Sequence, residues 1–562
     1  MRSAAAAAAV LALAVLAGTV PRSDGLRALM VFPFGAHSHN TMFSAMAKAL
    51  VERGHQVVMF SNFPPRAAHP NYTHVDTSGT ESLVSAIDLE EIKALPIDIP
   101  PLLAYLYAAA ISRMGGDTLC RHVLAMPEVH QVLAGGYGRF DVVLTEAFAS
   151  DCWLGIPHRL GLPVVSLASG PDWPWIHERM GSVDNPSYIV NVFSKIKEPM
   201  SFMDRVYNTV FTASLNYFMQ KMCQASIYGS PALAVARGQT SQQNYIKLAS
   251  FDDDSDATMR EFLGADLPPQ RELVKNTSLI LLNRHVSINP ARPVTPNIVH
   301  VGSLHVTEPP NTLEPGLRAW MDGAEHGVIF FSLGSMIKAS SMPVEMRDKL
   351  VWAFSRLKQR VVWKFEDDSL AMPENVRVAK WLPQMDVLTH PKTVLFITHG
   401  GLMGTLEALH CGVPMLGMPL FADQGVNMDM YKKLGIADYV DRHTMTKEGF
   451  LAAIQAMTDK RYRERSREVA ALHQDRPRTA ADEAVWWVEY VVRHGGAPHL
   501  RPRSVGMPLY QYLLLDVFAF LGALALALAA LGALVARRVL GALVARVRPA
   551  GPTAADVKAK QS

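Results

Sequence analysis

Apolar residues fall along most of the chain in two alternating patterns, short buried runs and amphipathic helical stretches. Leu26–Phe32 is a brief, mostly apolar run, as in a parallel strand covered on both faces. The loop Pro33–His39 follows. Met42, Phe43, Met46, Ala49 and Leu50 then recur at helical spacing, which predicts a helix over Thr41–Arg53 that Gly54 stops. His55–Phe60 is the next strand. Strand, loop, helix and strand open a doubly wound sheet. Phe140–Leu144 and Val164–Leu167 read as further strands around a helix from about Cys152 to Leu160. Gly181 to about Leu263 is rich in aromatics and methionines but has no clear period, and no elements are predicted there.

A Pro-rich stretch, Asn289–Gly302, reads as a linker. Beyond it the α/β rhythm resumes. Val328–Ser332, Val361–Lys364, Val394–Thr398 and Pro414–Gly417 are predicted strands, and helices are predicted near Met346–Lys358, Met403–His410 and Gln424–Leu434. The expected fold is α/β: two tandem Rossmann-like domains, which bind ligands in the cleft between the C-terminal ends of their strands. The expected boundaries are 24–285 for the first domain, 286–300 for the linker and 301–510 for the second domain.

The two ends differ from this pattern. Met1-Arg2 and the Ala/Leu/Val run through about Val20 read as a secretory signal over 1–23, with a retained anchor as the alternative. Val517–Ala536 carries no charge, and at ~1.5 Å per residue it approaches the ~30 Å bilayer core. Tyr510 and Tyr512 precede it, and Arg537, Arg538, Arg546 and Arg548 follow. This is the flank pattern of a single span, expected over 513–536, with a cytoplasmic basic tail over 537–562. GALVAR at Gly532–Arg537 recurs at Gly541–Arg546, which extends the helix toward the headgroups. Lys558 and Lys560 resemble a dilysine retrieval signal for the endoplasmic reticulum. Together these features predict a single-pass type I protein of that membrane with both Rossmann-like domains in the lumen. The sequons at Asn71 and Asn276 would then face glycosylating enzymes.

The chain has 562 residues, too many for one core, and a formal net charge of +3, which gives no reason to expect nucleic acid as a partner. Four cysteines, Cys120, Cys152, Cys223 and Cys411, are too sparse for a disulfide scaffold, and their pairing is open. No CxxC or His/Cys cluster points to zinc.

The chemistry is concentrated in Phe396–Gln424, FITHGGLMGTLEALHCGVPMLGMPLFADQ. A predicted strand ends in His399-Gly400-Gly401 and a helix begins at once. Free backbone N–H groups and the positive end of the helix dipole suit a diphosphate there. Glu407, about two turns on, can hold ribose hydroxyls. Asp423-Gln424, at a later strand-to-helix junction, places a carboxylate beside an amide, a pair suited to sugar hydroxyls.

This stretch resembles the signature of the UDP-glycosyltransferases, inverting and metal-independent enzymes of the GT-B fold. Phe331-Ser332-Leu333-Gly334-Ser335 and Trp381-Leu382-Pro383-Gln384 match the same family. Thr145–Gly155 and the residues from His285 to Gly302 resemble its animal, arthropod-like membrane-bound branch. The resemblance implies that Ser335 meets the diphosphate and that Trp381 and Gln384 line the uracil pocket. It implies His399, Gly401 and Gly404 at the phosphates, Glu407 at the ribose, and Asp423 and Gln424 at the transferred sugar. Met403 stands where many relatives have Asn, so one side-chain contact to the donor is lost or replaced by backbone. No cofactor is expected beyond the UDP-sugar co-substrate, and the acceptor is expected to be set by 181–263.

The family pattern also has Ser-His after the first strand and Arg-Gly-His after the first helix. Ser38-His39 and Arg53-Gly54-His55 match it, which implies His39 as general base. An imidazole suits proton abstraction from a hydroxyl at neutral pH. His37, two residues away, is the rival. A base histidine needs an orienting carboxylate. Both Glu146 and Asp151 qualify; Asp151 is the slightly favoured expectation, with a helix cap before Cys152 as its alternative.

The expected activity is transfer of a hexose, with UDP-glucose favoured as donor, to a hydroxyl of a small lipophilic acceptor, as in detoxification or in hormone or pigment conjugation. UDP-glucuronate as donor and a non-catalytic binding protein of the same fold are the alternatives, and self-association is left open. An NAD-dependent enzyme ranks last, since no G-x-G-x-x-G follows any predicted strand.

Overall fold

The computed structural model describes residues 25–547 apart from 66, 80–86, 91–116, 149, 171–172, 183, 195, 197–198, 223–253, 307–311, 368 and 422. The expected signal segment, Cys223, Arg548 and the Lys558/Lys560 tail lie outside the described residues. The chain forms two compact units, Met1–Pro502 and Arg503–Ser562.

The first unit holds two parallel sheets. Strands β1 (Arg27–Phe32), β2 (Gln56–Ser61), β3 (Tyr72–Asp76), β5 (Val142–Glu146), β6 (Val164–Ala168), β7 (Thr277–Leu282) and β8 (Ile298–His300) form one, in the order 3-2-1-5-6-7-8. Strands β9 (Val328–Ser332), β11 (Arg360–Lys364), β12 (Val376–Ala379), β13 (Thr393–Thr398), β14 (Met415–Gly417) and β15 (Ala437–Tyr439) form the other, in the order 12-11-9-13-14-15. Two short strands, β4 (Ile87–Asp88) and β10 (Ile337–Lys338), pair in parallel and join the lobes. Central strands such as β5 and β9 are buried at every position, which is why their sequences are apolar without alternation.

The order reverses between β1 and β5 in the first sheet and between β9 and β13 in the second. These are the topological switch points, where open α/β sheets bind ligands. Four helices matter for the site: α1 (His37–Glu52), α2 (Leu402–His410), α3 (Gln424–Lys433) and α4 (Ala480–Arg493).

The structure differs from the sequence expectations in five places. Helix α1 begins four residues before Thr41, so His37 and His39 lie in its first turn rather than in the loop. The stretch 286–300 is not purely linker, because β8 within it extends the first sheet. Helix α4, expected in the second domain, buries Ala484, Val485, Val488 and Val491 in the core of the first lobe. There Glu489 accepts from His55 Nε2 at 3.0 Å and Asp482 pairs with Arg53. The Arg-Gly-His pattern thus anchors the end of α1 to the returning chain. Finally, Gly181–Leu263 contains a long helix, Phe202–Met222, and a shorter one, Asp254–Leu263. The predicted Cys152–Leu160 helix divides into a 3-10 turn, Cys152–Leu154, and an α-helix, Gly155–Leu160. Cys152 is disulfide-bonded to Cys120, and Cys411 is a free thiol.

In the second unit, Leu515–Val547 is one helix of 33 residues, apolar and long enough to cross a membrane.

Candidate active site

In the first lobe β1 and β5 run side by side, with Val31 opposite Thr145, so the loop after β1 and the end of β5 meet at the switch point. His39 rises from the first turn of α1, and Glu146 is the last residue of β5. His39 Nδ1 lies 2.6 Å from Glu146 Oε1, with side-chain exposures of 17% and 4%. Ser169, just past β6, closes the cluster: its hydroxyl donates to Glu146 Oε1 at 2.5 Å and sits 2.9 Å from His39 Nδ1. With Nδ1–H held by the carboxylate, Nε2 is the nitrogen that carries the lone pair. Phe34 and Phe148 pack on the imidazole with ring centroids 5.1 and 4.8 Å away, giving it an apolar wall.

Asp151, the slightly favoured partner in the sequence, is elsewhere. It forms a partly buried ion pair with Arg179 at 2.7 Å. It sits at the cap position of the Cys152 turn, but its side chain makes no capping hydrogen bond. The carboxylate that meets His39 is Glu146, because the strand end delivers it to the switch point while the following loop carries Asp151 away. His37 faces outward across the cleft, its ring 5.4 Å from both Phe63 and Trp381.

In the second lobe the corresponding strand ends are Ser332 and Thr398, paired in register. His399 follows β13 and is enclosed by glycines. A Cβ on Gly334 would come within 2.7 Å of His399 Cε1, and one on Gly401 within 2.5 Å of Nε2. Gly334 and Gly400 also take positive φ, 80° and 88°, which favours glycine again. Burial drives the His399 pKa down to about 4, with the Lys364 charge adding to it, so the ring is neutral at physiological pH. Its Nδ1 is buried without a hydrogen-bond partner among the described residues, as expected of a group that meets a ligand. Gly401 caps α2, whose first N–H groups open beside this ring. Ser335 is exposed on the facing loop.

Gln384 and Glu407, expected at uracil and ribose, are brought together: Gln384 Nε2 donates to Glu407 Oε2 at 2.5 Å. A Cβ on Gly404 would press on that amide at 3.0 Å. Trp381 is 56% exposed, an unusual state for a tryptophan away from an interface. Asp423 precedes α3. Burial pushes its carboxyl pKa up, against the hydrogen bond from Asn427 and the pull of His39 across the cleft. Asn427 donates both to Asp423 Oδ2 and to the Gly400 carbonyl, tying the acid to the glycine turn. Gln424 Oε1 accepts from the N–H groups of Leu420 and Phe421, so its amide N–H groups are the part suited to a sugar hydroxyl. Met403 turns to the first lobe: Asn283 donates to its sulfur at 3.3 Å, and His305 Nε2 donates to its carbonyl at 3.1 Å. Of the sequons, Asn276 is exposed before β7 and Asn71 is half-buried before β3.

Sequence reasoning missed Ser169, Asn427, Phe34, Phe148 and Lys364. Only Phe148 lies in a stretch singled out above for the resemblance, Thr145–Gly155, and it was given no role there. Position gave one signal, since Ser169 and Lys364 both lie at C-terminal ends of predicted strands.

The family profile described as "UDP-glucoronosyl and UDP-glucosyl transferase" matches residues 28–252 and 245–545. UDP-glucosyltransferase 2 of Dactylopius coccus is 35% identical over 515 residues, 91% of this chain and 93% of that protein. UDP-glucuronosyltransferase 2B15 of Rattus norvegicus is 29% identical, covering 89% of this chain and 91% of its own. The structure of Phytolacca americana UGT2 complexed with UDP-2fluoro-glucose and pterostilbene superposes with a TM-score of 0.52 at 15% identity, over 83% of this chain and 99% of that one, and so shares the fold. With two Rossmann-like lobes of the GT-B type and a profile match across nearly all of its length, the chain belongs to the UDP-glucuronosyl and UDP-glucosyl transferase family and is a UDP-glycosyltransferase.

Proposed function

We propose that this enzyme transfers glucose from UDP-glucose, with inversion, to a hydroxyl of a small lipophilic acceptor. The observation that carries the mechanism is the His39–Glu146 contact at 2.6 Å, opposite Asp423 and the glycine turn. The acceptor hydroxyl approaches His39 along the wall of Phe34 and Phe148. His39 Nε2 takes its proton as the oxygen attacks the anomeric carbon from the face opposite the diphosphate. The bond from that carbon to the phosphate oxygen breaks, and UDP leaves with the electron pair. Glu146 steadies the imidazolium, with Ser169 fixing the carboxylate. Helix-end N–H groups around Gly401, His399 and Ser335 receive the leaving diphosphate. Trp381 and Gln384 hold the uracil, Glu407 the ribose, and Asp423 and Gln424 the sugar.

Glucose is favoured because the Dactylopius relative is named a glucosyltransferase. Incubating the purified protein separately with UDP-glucose and UDP-glucuronate against phenols, steroids and flavonoids tests the donor and the acceptor class by product mass. NMR of the product tests inversion through its β-configuration. Absence of conjugate with every pair would favour the binding-protein alternative.

We further propose residence in the endoplasmic reticulum membrane with luminal lobes. The support is the apolar C-terminal helix, the Cys120–Cys152 disulfide, which suits an oxidising compartment, and the exposed sequon at Asn276. Glycosidase treatment should increase gel mobility, and intact microsomes should protect the lobes from protease. Protease access without a glycosidase shift would overturn the topology.

A further inference from the structure

We propose that Lys364 is a donor-binding residue whose ammonium group holds the diphosphate of the UDP-sugar. This rests on the donor site lying at the strand ends of the second lobe. Lys364 is the last residue of β11, in register with Ala379 of β12, two residues before Trp381. On its other side Trp363 pairs with Phe331 of β9, so Lys364 ends level with the loop that carries Ser335. The side chain is 11% exposed. Its Nζ lies 5.8 Å from the Trp381 ring centroid and 2.8 Å from Glu366 Oε1. The charge also reaches the buried His399 ring at the glycine turn, where it adds to the depression of that imidazole. The ammonium therefore sits among the indole, the histidine of the phosphate turn and one carboxylate.

A purely structural ion pair would account for the Glu366 contact but not for the placement. Glu366 accepts from Lys364 through Oε1, and its Oε2 accepts from the Ser340 N–H at 3.0 Å, which fastens the turn after β10. One ammonium has three donors, and Glu366 Oε1 is the hydrogen-bond acceptor it uses among the described residues. The rest of the cradle offers partial charges: backbone N–H groups at the start of α2, and an imidazole held neutral. A diphosphate carries two full negative charges, and a third develops as UDP departs. An ammonium fixed beforehand in a mostly desolvated site stabilises that developing charge without reorganisation. Glu366 keeps the lysine in place until the donor arrives.

The test is calorimetric titration of UDP and of uridine into the full-length protein and its Lys364→Met, Lys364→Arg and Glu366→Gln variants. Lys364→Met should weaken UDP binding on the order of 10- to 100-fold and uridine by less than about twofold, because uridine has no phosphate. Lys364→Arg should retain most UDP affinity, and Glu366→Gln should retain or strengthen it. Equal loss of UDP and uridine in Lys364→Met would place the lysine at the nucleoside and overturn the proposal. So would unchanged UDP affinity with a lowered melting temperature, or matching losses in Lys364→Met and Glu366→Gln, which would mark a structural pair. Trp381→Ala serves as the control: if it leaves UDP and uridine binding intact, the donor-site reading itself fails.

Discussion

Replacing Glu146 by Gln separates the two candidate carboxylates. The amide keeps the size of the side chain and an oxygen that can accept from His39 Nδ1–H, so the ring stays oriented while the negative charge is lost. A hydrogen bond to a charged group is worth about 1.5–3 kcal/mol, and that interaction strengthens as the imidazolium forms. At about 1.4 kcal/mol per decade, turnover should fall roughly 10- to 100-fold. The 2.6 Å separation and the burial of Glu146, 4% exposed, favour the upper part of that range. Asp151→Asn should behave differently. It removes one charge from a partly buried pair with Arg179, an effect worth up to about 3 kcal/mol of stability, while the folded fraction keeps its turnover. The assay is steady-state kinetics beside thermal melts, with each change repeated in His39→Ala. His39→Ala itself should lower turnover by about a hundredfold or more with UDP binding kept. Once His39 is gone, Glu146→Gln should cost little more. The reasoning is refuted if Asp151→Asn slows turnover without lowering the melting temperature while Glu146→Gln is silent.

Gly334→Ala should weaken UDP binding more than tenfold, since a methyl there meets His399 at 2.7 Å and the φ of 80° resists any side chain; calorimetry with UDP reads it. Asp423→Ala should raise KM for the UDP-sugar while leaving UDP affinity within about threefold, because the acid lies beyond the phosphate turn; equal loss of UDP affinity would make it a structural residue. Urea melts should show stability falling on acidification below about pH 6.5. His177, His305 and His399 are held neutral by burial, each near pKa 4 against an ordinary 6.5. The unfolded chain therefore binds more protons between those values, and each such histidine contributes up to ~1.4 kcal/mol per pH unit. A flat profile from pH 7 to 5 would contradict their burial.

Much of the fold was legible because parallel strands buried on both faces leave uninterrupted apolar runs. Val328–Ser332 matches β9 residue for residue, and β1, β11 and β13 agree within a residue at each end. The glycine turn after β13 was legible as a motif, and its glycines have causes in the packing: a Cβ on Gly401 would meet His399, and one on Gly400 would meet Met428 and the Gln424 carbonyl. The partner of His39 was not legible. Glu146 and Asp151 are five residues apart, and the choice between them depends on Arg179 and Ser169, which reach the site from other elements. Strand β8 was hidden for a related reason. Ile298–His300 is only three residues long and follows a Pro-rich run, and it becomes a strand because β7 offers an open edge. The return of α4 to the first lobe is equally non-local, fixed by contacts more than 400 residues apart in sequence.

That return bears on how the two halves of the chemistry meet. In the proposed mechanism the base His39 and its carboxylate belong to the first sheet, and the glycine turn and Asp423 to the second, so that mechanism needs both lobes. The lobes are tied at several points distant in sequence: the β4–β10 pair, α4 on α1, and the Asn283 and His305 contacts to Met403. The last of these bears on the proposed phosphate site, because Met403 lies in the first turn of α2, directly after the glycine turn. A side chain at this position in contact with the donor would serve binding only. Turned instead to Asn283 and packed against the first lobe's core, Met403 fastens α2 to the lobe that carries His39. In the proposed mechanism this departure exchanges one ligand contact for a fixed spacing between His39 and the departing diphosphate, and an in-line displacement depends on that spacing.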